Sequence, residues 1–464
     1  MKTIVFFADA VGQAYNCIAI AQNIPKDNFK IIFVADNSFA GMFSKYGFTE
    51  HLLDIHGNDE ESQVAQSWSN VVHENNAAHR LPTIEQIDTY ITPYYKAIVE
   101  GAIKANPLLK KALAEIKPDL ICFDDVVLYP AFKQQGCPWV RIISCNELEV
   151  PDPKLPPALS GYSTSDSTLY ARFRYQFLAS IQPIHEQFNQ FLADHHEKPY
   201  PNGQFLELSP FQNLFIFPRA VAYSRSEALP WNKVTYLNGC VRQEAPYVIP
   251  SFGVYDNFPL IYISYGSMCS AETELFKAQI AAFAEKPFRV LMNVGNNLEA
   301  YSQLPGNVRI SNFFPQPAVI EQADLVIHHG GNNTFNEALF FGKPSIVLPF
   351  AWDGFDNAMR VKDLSLGVHL NRYTSDPEAL PRIAQQLIED KELSQRLLEI
   401  SLEMKKNPGT VQAAQVLLNF IKPQKIPEWF LGNNRFSHYH SALAKPVQQS
   451  SKREESALGY ECSC

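Results

Sequence analysis

HHGGNNTFNEALFFGKPSIVLPFAWDGFDNA, His328 to Ala358, is the stretch whose reading decides the fold. It follows an apolar run, Leu325-Val326-Ile327, and passes through two histidines and two glycines into amides, a hydroxyl and a helical pattern closed by Gly342. That order predicts a buried strand, a tight turn and a helix, with hydrogen-bonding groups gathered where strand meets helix. The first N–H groups of a helix have no intrahelical acceptor, and the positive end of the helix dipole lies there. Such a turn favours an anion such as a diphosphate. Asn333 and Glu337 lie four apart on one helix face, so one ligand can reach both. The plainer alternative for Thr334 and Glu337 is a capping box, S/T-x-x-E, serving the helix alone. For His329 it is a core histidine.

The same alternation of greasy strands and helices runs through both halves of the chain. In the first half, strands are predicted at Ile4–Ala8, Phe29–Ala35, Asp119–Asp124 and Trp139–Ser144, with helical patterns at Ile18–Ile24 and Leu108–Ile116. In the second, they are predicted at LIYIS from Leu260, FRVLMNVG, VRISNFF, DLVIHH and SIVLPF. Short runs apolar on both faces are expected of parallel strands covered by helices on each side. The fold class is therefore α/β, with two Rossmann-like domains facing across a cleft. The proline-rich segment Ala245–Pro259 reads as a linker, which divides the chain into residues 1–244, 245–259 and 260–422. Residues 56–100 and 151–210 read as irregular insertions beside the cleft.

Bulk properties narrow the function. At 464 residues, two domains are the natural expectation. A formal net charge of −9 argues against nucleic acid or an anionic membrane as main partner. The eight cysteines include no CxxC pair, and several sit in strand-like runs. Free thiols in a reducing compartment fit that pattern, and the expected location is cytoplasmic. The first apolar run is only five residues before Asp9, and no stretch approaches a membrane span, so neither signal peptide nor anchor is expected. Residues 441–464, ending Cys462-Ser463-Cys464, read as a disordered tail.

The His328–Ala358 stretch resembles the donor-binding signature of the UDP-dependent glycosyltransferases, the UDP-glucosyl/glucuronosyltransferase family. His329, Gly331, Asn333, Thr334, Glu337, Gly342, Pro344, Pro349, Asp353, Asn357 and Ala358 fall into register with it. The resemblance covers roughly residues 1–420, is stronger in the second half, and implies the GT-B fold in soluble form. It implies that His329, Asn333 and Thr334 meet the diphosphate, Glu337 the ribose, and Asp353 the transferred sugar. It further implies that Ser267, in Ser264–Ser267, touches phosphate, that Phe313 stacks on uracil in place of a tryptophan, and that Gln316 reads the base edge. Plain alternatives are a Gly-Ser turn and a core phenylalanine. A closing helix returning to the first domain is implied at residues 423–440. One position departs: Gly354 stands where the family carries a glutamine, which leaves the sugar open.

The family's catalytic histidine lies in the first strand-to-helix loop. Here that loop reads DAVGQAYNC, Asp9–Cys17, and the histidine position is Gln13. Glutamine does not titrate near neutral pH and cannot act as a general base. The orienting carboxylate is implied at Asp124, with Asp125 expected on the other face by strand alternation. Three outcomes stay open: Asp124 or Asp9 as base, an acceptor that ionises easily, or binding without turnover. The expected activity is inverting transfer of a hexose from a UDP-sugar, a co-substrate rather than a bound cofactor, to a hydroxyl of a lipophilic small molecule. No metal is expected, and the oligomeric state is open. Trp68, Tyr90, Tyr94, Tyr95, Phe173, Tyr175 and Phe177 suit an apolar acceptor pocket, or equally helix packing.

Overall fold

The computed structural model describes residues 1–55, 77–266 and 272–421. Trp68, Ser267, the implied helix at 423–440 and the tail at 441–464 lie outside them.

Two all-parallel sheets organise residues 1–421, which form one compact unit. The first comprises β1 (Lys2–Ala8), β2 (Phe29–Asp36), β3 (Thr49–Leu53), β4 (Leu120–Asp124), β5 (Trp139–Ile143), β6 (Gln212–Phe215) and β7 (Val234–Tyr236), in the order β3-β2-β1-β4-β5-β6-β7. The second comprises β8 (Leu260–Ser264), β9 (Arg289–Asn293), β10 (Val308–Ser311), β11 (Leu325–His328), β12 (Ser345–Val347) and β13 (Gly367–His369), in the order β10-β9-β8-β11-β12-β13. Both are doubly wound, and in each the order reverses beside the first strand, between β1 and β4 and between β8 and β11. The crevice beyond the strand ends at such a reversal is where α/β sheets bind ligands.

Helices cover the sheets. In the first half the long ones are α1 (Val11–Ala21), α2 (Thr92–Ile116) and α3 (Tyr170–Asp194), with a single helical turn at Pro130–Lys133. The second half adds α4 (Thr273–Phe283), α5 (Gln316–Gln322), α6 (Asn332–Phe340), α7 (Gly354–Asp363), α8 (Leu380–Glu389), α9 (Lys391–Lys406) and α10 (Gly409–Leu418). The central strands are apolar because both faces are covered: Ile4 to Ala8 and Leu325 to Ile327 are all at most 1 % exposed. Aromatic side chains fill the first core, with Phe7 against Tyr129 and Phe132 at 5.0 and 5.4 Å between ring centroids.

The region 151–210 corrects the expectation of irregular structure. It holds α3, a 25-residue helix that runs through Pro183. Its buried residues Phe173, Ile181, Ile184, Phe188, Phe191 and Leu192 make one helical face. That packing outweighs the hydrogen bond a proline cannot donate. The segment Ala245–Pro259 has no strand and only a short helical turn at Gly253–Tyr255, and it lays Phe252 against the second core. Chain return onto the first sheet is made by α10, which packs against α1. No helix among the described residues is long and apolar enough to cross a membrane.

Candidate active site

Both reversal points open onto one cavity of about 440 Å³. From the first half it receives the loop after β1 with the start of α1, the end of β4, and Tyr94 and Ile98 of α2. From the second it receives the loops after β8 and β11, the first turn of α6, and Phe350 to Asp353.

The turn after β11 separates the two histidines. His328 ends the strand, fully buried, and its Nδ1 accepts the Gly330 N–H at 3.1 Å. Burial pushes its pKa down to about 3. His329 lines the cavity instead, and burial, with the nearby Arg372 charge, pushes its pKa down to about 4. Its ring is neutral at pH 7 and can donate one N–H to a phosphate oxygen. Gly266, at φ +71°, faces this ring. A Cβ there would lie 2.8 Å from His329 Cε1, so only glycine lets the β8 loop pass.

The first turn of α6 is the anion end of the site. Asn332 N–H donates to Asp353 Oδ2 at 3.0 Å, so Asp353 secures the helix start. The N–H groups of Asn333 and Thr334 belong to the same first turn, where no intrahelical acceptor exists. The Asn333 amide bridges to α1: its Nδ2 donates to Gly12 O at 2.9 Å and its Oδ1 accepts from Asn16 Nδ2 at 2.7 Å. Asn332 Nδ2 donates to Ser144 O and Ile216 O at 2.7 and 2.8 Å. The phosphate-facing turn is thus fastened to the first sheet by its own amides.

Thr334 and Glu337 form no capping box. The N-cap of α6 is Gly331, without a side-chain cap, and Thr334 lies inside the helix. Glu337 is 2 % exposed and does not line the cavity; it sits one turn behind. Its Oε1 is 3.1 Å from Arg242 Nη1, and its Oε2 accepts from Gln316 Nε2 at 2.6 Å. Burial pushes its carboxyl pKa up, against the lowering by Arg242 and Gln316. Gln316 also donates to Thr334 Oγ1 at 3.1 Å, so its amide is turned to the helix as well as lining the cavity. Phe313 is 42 % exposed at the cavity edge, with Lys45 Nζ 4.6 Å above its ring.

In the first half, Asp124 and Asp125 take different places. The cavity is lined by Asp9, Gln13 and Asp125, and not by Asp124. Alternation does place the two aspartates on opposite faces, but Asp125 is the one turned inward, because strand pairing ends at Asp124 and the chain bends there. Asp124 is buried beside Ser144 and pushed well up in pKa by that burial. Gln13 folds back, its Oε1 accepting the Asp9 N–H at 3.3 Å.

Gly354 is not a vacant place for a side chain. A Cβ there would lie 2.6 Å from the His329 carbonyl oxygen. The expected acceptor aromatics divide: Tyr94 lines the cavity beside Trp352, whose ring is 5.8 Å away. Tyr95 packs on Trp352 at 5.5 Å, Tyr90 and Phe173 are buried behind them, Phe177 is partly buried, and Tyr175 is 78 % exposed. Trp352 itself holds φ +55°, a conformation rare for an aromatic residue and often found at ligand sites.

Residues 283–420 match the family model described as erythromycin biosynthesis protein CIII-like, C-terminal domain. The chain is 26 % identical to the NDP-glycosyltransferase YjiC of Bacillus subtilis, over 72 % of this chain and 80 % of that one. It is 24 % identical to the demethyllactenocin mycarosyltransferase of Streptomyces fradiae, over 68 % and 67 %. Among solved structures, the glycotransferase of kitacinnamycin aligns with TM-score 0.67 at 19 % identity, covering 90 % of this chain and 99 % of that one. The glycosyltransferase VinC in complex with DTDP aligns at 0.63 and 17 %, over 90 % and 99 %. The fold is GT-B, and the chain is a glycosyltransferase whose residues 283–420 match the EryCIII-like family model. Within this glycosyltransferase, the sequence missed Asp125, Asn16 and Arg242 as site residues. Asn16 carried a faint signal, one turn after Gly12 on α1. Arg242 carried none, since its partner lies 95 residues away.

Proposed function

We propose that the chain transfers a hexose from a UDP-sugar to a hydroxyl of a lipophilic small molecule, with inversion at the anomeric carbon. The observation that carries this reading is the convergence, in one cavity, of His329 and the first turn of α6 with the apolar surface of Tyr94, Ile98 and Trp352. A diphosphate against His329 and the Asn333–Thr334 turn places the transferred sugar near Asp353 and the acceptor on the aromatic side. Phe313 serves as the base platform, and Gln316 holds Glu337 toward the ribose. Ser267 remains a phosphate contact in this reading, on the strength of its motif alone. The donor is a co-substrate, and the helix turn with His329 serves the diphosphate without a metal. The relatives' names widen the choice of nucleotide, since VinC is described with DTDP. Glu337 favours the ribonucleotide, whose two hydroxyls a carboxylate can accept. The free cysteines Cys17, Cys122, Cys137, Cys145 and Cys240 support a cytoplasmic setting.

The test is nucleotide release from UDP-glucose, UDP-galactose, UDP-N-acetylglucosamine and TDP-glucose against a panel of phenols, sterols and macrolides. Release that depends on acceptor, with a glycosylated product, supports the reading. Gln13 supports a second reading, a protein that binds nucleotide-sugar and lipophile without turnover. Tight UDP binding with no product from any acceptor would favour that one.

A further inference from the structure

We propose that Asp9 takes the proton of the acceptor hydroxyl in this chain, with Asp125 as its anionic partner. The proposal rests on the nucleotide-sugar transfer reading above. β1 and β4 are parallel neighbours, and their paired register ends with Ala8 opposite Asp124. The next residues, Asp9 and Asp125, leave the sheet side by side at its reversal point, and both line the cavity. Gln13 spends its carbonyl on the Asp9 backbone, which fixes the loop and leaves the Asp9 carboxylate for chemistry.

The two carboxylates are not equivalent. Asp125 is held by three donors: Tyr129 Oη to Oδ2 at 2.6 Å, and the Val126 and Val127 N–H groups to Oδ1 at 2.6 and 3.4 Å. Burial pushes the Asp125 pKa up to about 6, and the donors aimed at its carboxylate hold that rise down by favouring the ionised form. Arg141, from β5, adds a positive charge on that side, while Asp124 and Glu149 lie near enough to feel Asp125. Asp9 faces Asp125 and, from the end of β2, Asp36, with the Tyr129 phenol also near. Burial first, and these two negative neighbours next, push the Asp9 pKa well above the usual carboxylate range. Two carboxyl groups so placed do not ionise together at low pH, and the proton they retain resides on Asp9. A carboxylate of raised proton affinity is a better general base near neutrality than an ordinary one.

In the step itself the acceptor O–H bond breaks, and its proton passes to an Asp9 carboxylate oxygen. The acceptor oxygen forms a bond to the anomeric carbon while the bond from that carbon to the β-phosphate oxygen breaks. The bonding pair leaves with the nucleoside diphosphate, toward His329 and the first turn of α6. Asp9 afterwards returns the proton to solvent.

The experiment measures transfer against pH, from UDP-glucose or TDP-glucose, to a simple alcohol and to a nitrophenol that ionises without help. Wild type, Asp9→Asn and Asp125→Asn are compared, with UDP and TDP affinity by calorimetry as control. Asp9→Asn is expected to cut alcohol transfer by ~10²–10⁴-fold, with nitrophenol transfer and nucleotide affinity nearly unchanged. The wild-type alcohol profile, which needs no variant, is expected to fall on an acid limb above the ordinary carboxylate value of about 4. Asp125→Asn should move that limb to lower pH, which a purely structural role would not do. Alcohol transfer retained by Asp9→Asn, or a limb that Asp125→Asn leaves in place, overturns the proposal. Wild type active on the nitrophenol and on no alcohol overturns it as well, while leaving the transfer reading intact. Wild type inactive on every acceptor overturns the transfer reading and this proposal with it.

Discussion

The Arg242 guanidinium, carried by the segment leaving the first sheet, lies 3.1 Å from the Glu337 carboxylate on α6. Arg242 is also fixed by Glu244 at 2.6 Å and lies over the Tyr15 ring at 4.0 Å. A buried carboxylate paired and hydrogen-bonded in this way is held where it stands, and it keeps lone pairs to spare for a ligand.

Glu337→Ala is expected to weaken UDP binding by about 1–3 kcal/mol, the scale for losing a hydrogen bond to a charged partner. Calorimetry with UDP and 2′-deoxy-UDP separates ribose contact from general damage. Wild type should prefer the ribonucleotide, and the variant should lose most of that preference. A folded variant with unchanged UDP affinity would remove Glu337 from the ribose and leave it an interdomain anchor for Arg242.

What was legible in the sequence follows from where the information is local. LIYIS and DLVIHH are continuous apolar runs bounded by polar turns, so β8 and β11 appear within a residue of their expected ends. The short strands β6 and β7 escaped notice, because Gln212 and Asn213 open one and the other is three residues long. α3 was hidden by Pro183 and its charged solvent face. The site shows the same division. His329 and Asn333 are announced by their own strand-turn-helix unit. Asp125 depended on where strand pairing stops, and Arg242 on the approach of two sheets, which no local pattern records.

Phe313 presents a half-open ring at the cavity edge, capped on one face by Lys45. A base stacked on an aromatic side chain contributes about 1–3 kcal/mol by alanine substitution. Phe313→Ala should therefore lower UDP affinity by that amount with little change in melting temperature. Lys45→Ala should not weaken UDP binding, because the lysine competes for the ring rather than holding the base. Equal losses from both substitutions would mean that the lysine touches the nucleotide.

Gly354 meets backbone, not open space. A side chain there must push on the His329 carbonyl, 2.6 Å from the built Cβ, and the partner surface is the Gly330 turn. Gly354→Ala and Gly354→Gln are both expected to cost about 1–3 kcal/mol of stability, the range for overpacking a fitted interior. UDP affinity should fall in parallel as the His329 turn shifts. A Gly354→Gln chain with unchanged melting temperature and an altered ratio of UDP-glucose to UDP-galactose use would show that the turn yields freely and that the position reads the sugar.

His79 gives a pH dependence whose sign is fixed. The imidazole is 3 % exposed, with Tyr90 and Phe350 at 4.5 and 4.3 Å between ring centroids, and burial pushes its pKa down to about 4. In the unfolded chain it titrates near ~6.5. Between these values the unfolded chain binds the proton and the folded one does not, so this group withdraws stability as pH falls from about 6.5 to about 4. Below that window both states are protonated and its contribution is flat. Other buried groups act in the same range, raised carboxyls such as Asp356 in the opposite sense, since its pKa is pushed up to about 7 by burial. The comparison must therefore be a difference between two chains. His79→Phe keeps an aromatic ring in the same apolar cluster and removes the titration. Its stability relative to wild type should rise by roughly 1–3 kcal/mol on going from pH 7 to pH 4, and stay level above pH 7. Urea unfolding of both chains at each pH measures the gap, and a gap independent of pH would mean that His79 is protonated in the folded chain as readily as in the unfolded one.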